Sequence, residues 1–169
     1  AVLGSTSGSD LEAIFHGIKS GRLKAKISVV VSNKKDAFIL ERAGQHNVKA
    51  VFVDSTGKSR EDFDKEVMKI LDKEKIGLVL LIGYMKLLSN EFVAKYKNKI
   101  MNVHPSLLPA FAAGMDKNVH QQVLDYGVKV TGCTVHFVDE GTDTGQIILQ
   151  KAFSVEENDT VDTLKAKVQ

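Results

Sequence analysis

Apolar residues gather into short runs that alternate with stretches of helical spacing. Residues 1–3 form a brief first strand, followed by the turn Gly4-Ser5-Thr6-Ser7-Gly8. Leu11, Ile14, Phe15 and Ile18 then share one helical face, and Ser9-x-x-Glu12 reads as a capping box at its start. A β-branched strand over 27–31 leads to a helix over about 35–45 with Ala37, Leu40 and Ala43 inward. A third strand spans 48–53, and Phe63, Val67, Ile70 and Leu71 mark the next helix. Residues 77–83 are a continuous apolar run, the pattern of a parallel strand covered on both faces. A short helix near 90–96 and a strand over 99–103 follow.

To this point the alternation predicts a doubly wound α/β sheet, mostly parallel. The last third breaks the rhythm. A helix over 117–126 precedes strands over 128–138 and 147–155, which read as an antiparallel hairpin added to the sheet. In such a sheet ligands sit beyond the carboxyl ends of the parallel strands. The segments expected there are 4–10, 84–89 and 102–114.

Composition narrows the classes. The 169 residues are 43% hydrophobic and 26% charged, as in a single globular domain with a core. Twenty-three Lys and Arg against 21 Asp and Glu leave a net charge of +2, with basic residues scattered. Neither nucleic acid nor an anionic membrane is therefore expected as partner. The longest uncharged apolar stretch, residues 76–85, is far shorter than the roughly 18 residues of a membrane span. One cysteine excludes an intramolecular disulfide and a cysteine-rich zinc site, and no signal peptide is visible. The expectation is a cytoplasmic protein. The chain opens on Ala1, and the helical spacing of Val161, Leu164 and Val168 runs to Gln169 without a cap. One domain over 1–169, lacking a few N-terminal residues and with a C-terminal helix that continues, is the expectation.

The chemistry concentrates in few places. The turn ahead of the first helix directs backbone N–H groups at whatever lies above the helix N-terminus, an arrangement suited to a monophosphate. It is not a dinucleotide fingerprint, because Thr6 stands at the second glycine position. An ordinary tight turn reads equally well, and Asp10 repels an anion unless it turns away. Ser55-Thr56-Gly57-Lys58-Ser59 is no phosphate loop, since Phe52 occupies the position of its first glycine; it reads as a solvated turn capping a helix.

Asn102 and His104 lie two apart at a strand end, so both side chains emerge on one face. An amide donor beside an imidazole stabilises a developing oxyanion and moves a proton. The chain's two prolines, Pro105 and Pro109, bound the turn that follows. Of the other histidines, His16 and His46 read as surface residues, His120 as helical, and His136 as a structural residue that could support the site. Their spacing predicts no metal site. The acidic loop 139–145 gains a function only if Asp143 meets His104, where its carboxylate would orient the imidazole and favour its protonated form.

Two motifs carry a resemblance. Asn102-Val103-His104-Pro105-Ser106-Leu107-Leu108-Pro109 together with Val135-His136-Phe137-Val138-Asp139-Glu140-Gly141-Thr142-Asp143-Thr144-Gly145 resembles the folate-dependent formyltransferases, and among them the phosphoribosylglycinamide formyltransferase (GAR transformylase) family. Gly8-Ser9-Asp10-Leu11, Ser32-Asn33-Lys34, Ser59-Arg60-Glu61 and Gly83-Tyr84-Met85-Lys86-Leu87-Leu88-Ser89 extend it through most of the chain.

The resemblance implies formyl transfer from 10-formyltetrahydrofolate, as co-substrate, to the amine of glycinamide ribonucleotide in de novo purine synthesis. Asn102, His104 and Asp143 would be catalytic, and no metal would take part. The acceptor phosphate would lie on the N–H groups of Gly8, Ser9 and Asp10. Arg60, Leu81, Met85, Lys86, Leu87, Leu88 and Val93 would bind folate, with the backbone of Val138, Asp139, Glu140 and Gly141 around the pterin. A homodimer stays open. So do a formyltetrahydrofolate hydrolase, a transferase with another amine, and a non-catalytic folate-binding module. The tRNA- and sugar-nucleotide-directed relatives are longer.

The chain departs from the family's pattern at Asp10 for asparagine, at Ser7, at Lys86 for arginine and at Gln146 for proline. Ala112-Ala113 stands in place of Pro-Gly, in a stretch over 110–120 longer than the common form. The family's C-terminal helix would follow Gln169.

Overall fold

The computed structural model describes residues 1–114 and 117–169. They form two compact units, Ala1–Ile100 and Met101–Gln169.

In the first unit, four strands run in the order β3-β2-β1-β4. They are β1 (Val2–Leu3), β2 (Val29–Ser32), β3 (Lys49–Phe52) and β4 (Val79–Leu81), and the pairs β1–β2, β2–β3 and β1–β4 are parallel. Between them run α1 (Ser9–Lys19), α2 (Phe38–Gln45) and α3 (Arg60–Lys73), and α4 (Asn90–Lys95) follows β4. The β1, β2 and β4 runs are apolar because both faces are covered: Val2, Leu3, Val29, Val30 and Val79 are wholly buried. Leu11, Ile39 and Ala43 from α1 and α2 pack on Val2 and Val30 in one cluster. Each fully buried aliphatic side chain of this kind contributes about 1.5–3 kcal/mol relative to its exposed state.

The second unit holds β5 (Ile100–His104, beginning on the last residue of the first unit), β6 (Val130–Phe137) and β7 (Ile147–Ser154), all antiparallel, with α5 (Lys117–Tyr126) and α6 (Val161–Val168). Val119, Val123 and Leu164 form its buried helix cluster, against which Phe153 and Val155 pack. The β6–β7 ladder is irregular at Val135/His136, pairing Val135 with Leu149 but His136 with Ile147.

Every element that the pattern predicts is present, and many end sooner than the pattern does. The continuous run 77–83 yields only a three-residue strand, and the helix expected from 35 starts at Phe38. One local expectation is corrected. Gly8, not a capping-box serine, caps α1, at φ 64°. A Cβ there would stand 2.4 Å from Ile39, so close packing and positive φ both require glycine. Ser9 is already inside the helix, and the Glu12 carboxylate is taken by Arg42 at 2.9 Å and His46 at 3.0 Å.

Candidate active site

The second unit holds the three side chains expected to be catalytic. Antiparallel pairing sets Asn102 opposite His136 and His104 opposite Thr134, so strand alternation puts all four on one face. The turn after His104, which includes a cis Leu108–Pro109 bond, is held from two strands. Thr134 Oγ1 accepts from the Leu108 N–H at 3.0 Å and from Gln150 at 2.9 Å, and donates to the Ser106 carbonyl at 2.7 Å. Gln150 also donates to the Leu108 carbonyl. Thr134 is fully buried and every one of these bonds is internal, so the turn is fixed before any substrate arrives.

Asp143 is brought in by the β6–β7 loop. Gly145 lies where a Cβ would fall 1.7 Å from the Phe137 carbonyl, so only glycine lets the loop return so tightly. Asp143 itself sits at φ 57°, a left-handed conformation that aspartate tolerates better than most residues. Its Oδ2 is 3.3 Å from His104 Nδ1 and accepts the Ala113 N–H at 3.0 Å. The expected meeting of Asp143 with His104 is therefore present. His104 is 3% exposed, and its Nε2 lies 3.0 Å from the Phe111 carbonyl. Both ring nitrogens face oxygen acceptors, and only the imidazolium donates at both.

His136, which the sequence marks as a structural residue that could support the site, lies inside this cluster. Its Nε2 is 3.2 Å from Asn102 Nδ2 and 3.6 Å from Asp143 Oδ1. Burial alone would lower its pKa, but the nearby Asp143 carboxylate, the hydrogen bond to the Phe137 carbonyl and the charge of Asp139 raise it overall. For Asp143, burial works upward, yet His136, the nearby His104 and the Ala113 N–H hold the carboxyl below the usual range. Thr134 and Gln150 are not marked in the sequence, and the 111–113 backbone is marked only as part of the stretch 102–114 expected at the strand ends. Strand alternation from His136 could have found Thr134; nothing local marks Gln150.

The first unit carries the residues expected to bind. Gly8, Ser9 and Asp10 form the cap and first turn of α1, where the helix dipole favours an anion. The turn is braced: the Ser5 hydroxyl donates to Asn33 and accepts the Met85 N–H, and Arg42 donates to the Ser7 carbonyl. A pocket of about 410 Å³ opens beside it, lined by Ser5, Thr6, Ser7, Lys34 and Lys35 among others. Its lysine wall was not anticipated.

Of the expected folate residues, Arg60 is exposed at the start of α3, behind Ser59, whose hydroxyl caps that helix. Met85 and Leu87 are exposed, Leu88 is half-buried, and Leu81 and Val93 are buried. The Lys86 ammonium lies 5.0 Å over the Phe63 ring. The buried Asp64 carboxylate accepts the Ser89 N–H and so anchors the end of this strip, although its Oδ1 and the Tyr84 hydroxyl have no hydrogen-bond partner. Burial raises the pKa of both groups.

In the second unit, Val138 is half-buried and Asp139, Glu140 and Gly141 are exposed. The Asp139 carboxylate is spent within its loop on the Gly141 N–H and the Thr144 hydroxyl, leaving backbone as the part a ligand could read. Among the described residues no group of three or more His, Cys, Asp or Glu side chains is arranged to hold a metal ion. Among the described residues no helix is long and apolar enough to cross a membrane.

Comparison with known proteins identifies the family. The model of the formyl transferase family matches residues 1–169. The phosphoribosylglycinamide formyltransferase of Bacillus subtilis is 38% identical over 169 residues, covering 99% of this chain and 85% of the relative. The human trifunctional purine biosynthetic protein adenosine-3 is 42% identical over 170 residues, and the chain spans only 16% of that protein's length. Among solved structures, glycinamide ribonucleotide transformylase 1 from Symbiobacterium toebii superposes with a TM-score of 0.94 at 44% identity, covering 99% of this chain and 78% of that one. The shared fold is α/β, with a mostly parallel mixed sheet and antiparallel C-terminal strands.

Proposed function

The chain belongs to the phosphoribosylglycinamide formyltransferase family, and from that premise we propose that it transfers a formyl group from 10-formyltetrahydrofolate to the amine of glycinamide ribonucleotide. The observation that carries this reading is the convergence of Asn102, His104 and Asp143 within the second unit.

The chemistry needs no metal. The acceptor amine attacks the formyl carbon, forming a C–N bond and a tetrahedral intermediate whose oxygen carries negative charge. The Asn102 amide and the His104 imidazolium donate to that oxygen, a kind of stabilisation worth about 3–4 kcal/mol per donor in a water-poor site. Collapse breaks the bond to folate N10, which takes up the proton that the amine gives up. Asp143 keeps the His104 ring in place and balances its charge. For His104 Nε2 to reach a substrate, it must exchange the Phe111 carbonyl for the incoming oxygen.

Gly8, Ser9 and Asp10 are the proposed phosphate contacts, assisted by the neighbouring lysines of the 410 Å³ pocket. Arg60, Leu81, Met85, Lys86, Leu87, Leu88 and Val93 in the first unit, and Val138, Asp139, Glu140 and Gly141 in the second, are the proposed folate contacts.

The test is formyl transfer from 10-formyltetrahydrofolate, followed by tetrahydrofolate release with and without glycinamide ribonucleotide. Acceptor-dependent turnover is expected. Formate release at the same rate without acceptor would replace this reading with a hydrolase.

A further inference from the structure

We propose that His136 is the positioning residue that sets which way round the Asn102 amide faces, acting through a ring held as the Nδ1–H tautomer. The proposal rests on the formyl-transfer reading, because it concerns the donor that this reading assigns to the oxyanion.

His136 Nδ1 lies 2.8 Å from the carbonyl of Phe137. A carbonyl only accepts, so Nδ1 carries a proton in the neutral ring. Nε2 of that ring is then an acceptor. Asn102 Nδ2 stands 3.2 Å away and is the group that can donate to it, since the Asp143 carboxylate at 3.6 Å is itself an acceptor.

An amide turned by 180° would set its oxygen against the Nε2 lone pair, a repulsive contact at a buried site (His136 is 1% exposed). The ring thus selects one of two amide orientations that fill the same space. The selected orientation keeps a second N–H of Asn102 for an oxyanion; the rejected one exchanges the donor and acceptor ends.

The backbone shows how the ring is aimed. The β6–β7 ladder skips Ile148 between the pairs Val135–Leu149 and His136–Ile147. Such a bulge bends a strand pair and redirects side chains beside it. Phe137, whose carbonyl fixes the tautomer, is tied by its own N–H to the Gln146 carbonyl at 2.9 Å. Orientation therefore passes from the loop backbone to the ring and from the ring to the amide.

The experiment compares His136→Gln and His136→Asn in the full chain. The glutamine amide oxygen reaches the place of Nε2 and accepts from Asn102, whereas asparagine reaches only the place of Nδ1. His136→Asn should lower kcat by about 10- to 100-fold, less than outright loss of an oxyanion donor, with KM for both substrates near wild type. His136→Gln should recover most of that loss. Equal losses in both variants with a lowered Tm, or no loss in either, would overturn the proposal.

A second measurement does not depend on turnover. Above the pH at which His136 loses its second proton, the ¹⁵N spectrum of the ligand-free protein should show the neutral ring protonated at Nδ1, with the Nε2 resonance moving in Asn102→Ala. The opposite tautomer, or an unmoved resonance, overturns the proposal even if the wild-type protein transfers formyl. Absence of acceptor-dependent turnover in the wild type would instead remove the formyl-transfer reading and leave the spectrum to decide the hydrogen bond.

Discussion

The two units treat their polar groups differently. Around Asn102, His104, His136 and Asp143 the side chains are mostly buried and meet partners: two rings share one carboxylate, and the Phe111, Ala113 and Phe137 backbone fills other positions. Along 84–89 in the first unit, Met85 and Leu87 stand in solvent, while Asp64 Oδ1 and the Tyr84 hydroxyl are buried without a partner. A fully connected polar network holds its geometry before substrate binds, whereas a strip with exposed apolar side chains gains most of its contacts from a ligand. The first arrangement suits lowering a barrier; the second suits binding.

This contrast predicts where substitutions act. The largest effect is expected for His104→Ala. It should reduce kcat by about 10³- to 10⁴-fold while folate affinity stays near wild type, measured by single-turnover formyl transfer and folate titration. Turnover within tenfold of wild type would remove His104 from the chemistry and with it the distinction between the units.

Asp143→Asn comes next, with kcat expected to fall by about 10²-fold or more because the imidazolium loses its counter-charge. It also has a signature in stability. A carboxyl whose folded pKa is depressed stabilises the fold above its unfolded pKa of about 4, and that contribution disappears as pH falls through the lower folded value. The gap between wild-type and Asp143→Asn unfolding free energies should therefore shrink in acid, below about pH 4. His136, whose pKa is raised, behaves oppositely: its contribution is complete below about pH 6.5 and fades as pH rises through the folded value. Urea melts across pH would separate the two. A wild-type advantage over Asp143→Asn that grows as pH falls below about 4 would contradict the assignment of Asp143 as the ionised partner.

In the first unit the expected effects are smaller and move to binding. Lys86→Met should keep the contact with Phe63 but lose one exposed charge, raising the folate KM by about five-fold at unchanged kcat. A fall in kcat comparable to the Asp143 variant would show that the two regions are not separable in this way. Smallest is Ser89→Ala, which removes the side-chain cap of α4 and should cost about 1 kcal/mol in chemical denaturation with little change in turnover.

Legibility differed between the same two regions. Strand–helix alternation was plain in the first unit because long apolar runs covered on both faces leave a one-dimensional trace, as at Val29, Val30 and Val79. Ends were less legible. The 77–83 run remains apolar beyond β4, and composition does not say where ladder hydrogen bonds stop. The N-terminus of α1 was misassigned because serine followed three residues later by glutamate fits a capping box. The left-handed backbone at Gly8 and the pull of Arg42 and His46 on Glu12 come from elsewhere in the chain. In the second unit, Asn102 and His104 could be paired from their spacing, while the weight of His136 could not.

By itself, then, the sequence determined the α/β alternation and the shared face of Asn102 and His104, because strand and helix periods are local properties of the chain. Its motifs also carried the resemblance to a formyl-transfer family. Tertiary structure decided what those residues can do. Asp143 reaches His104 through a returning loop that Gly145 permits, His136 reaches Asn102 from the opposite strand, and the 111–113 backbone occupies His104 and Asp143. Those meetings depend on register, on a skipped residue in a ladder and on left-handed backbone positions. All three arise between segments distant in sequence, where no local pattern records them.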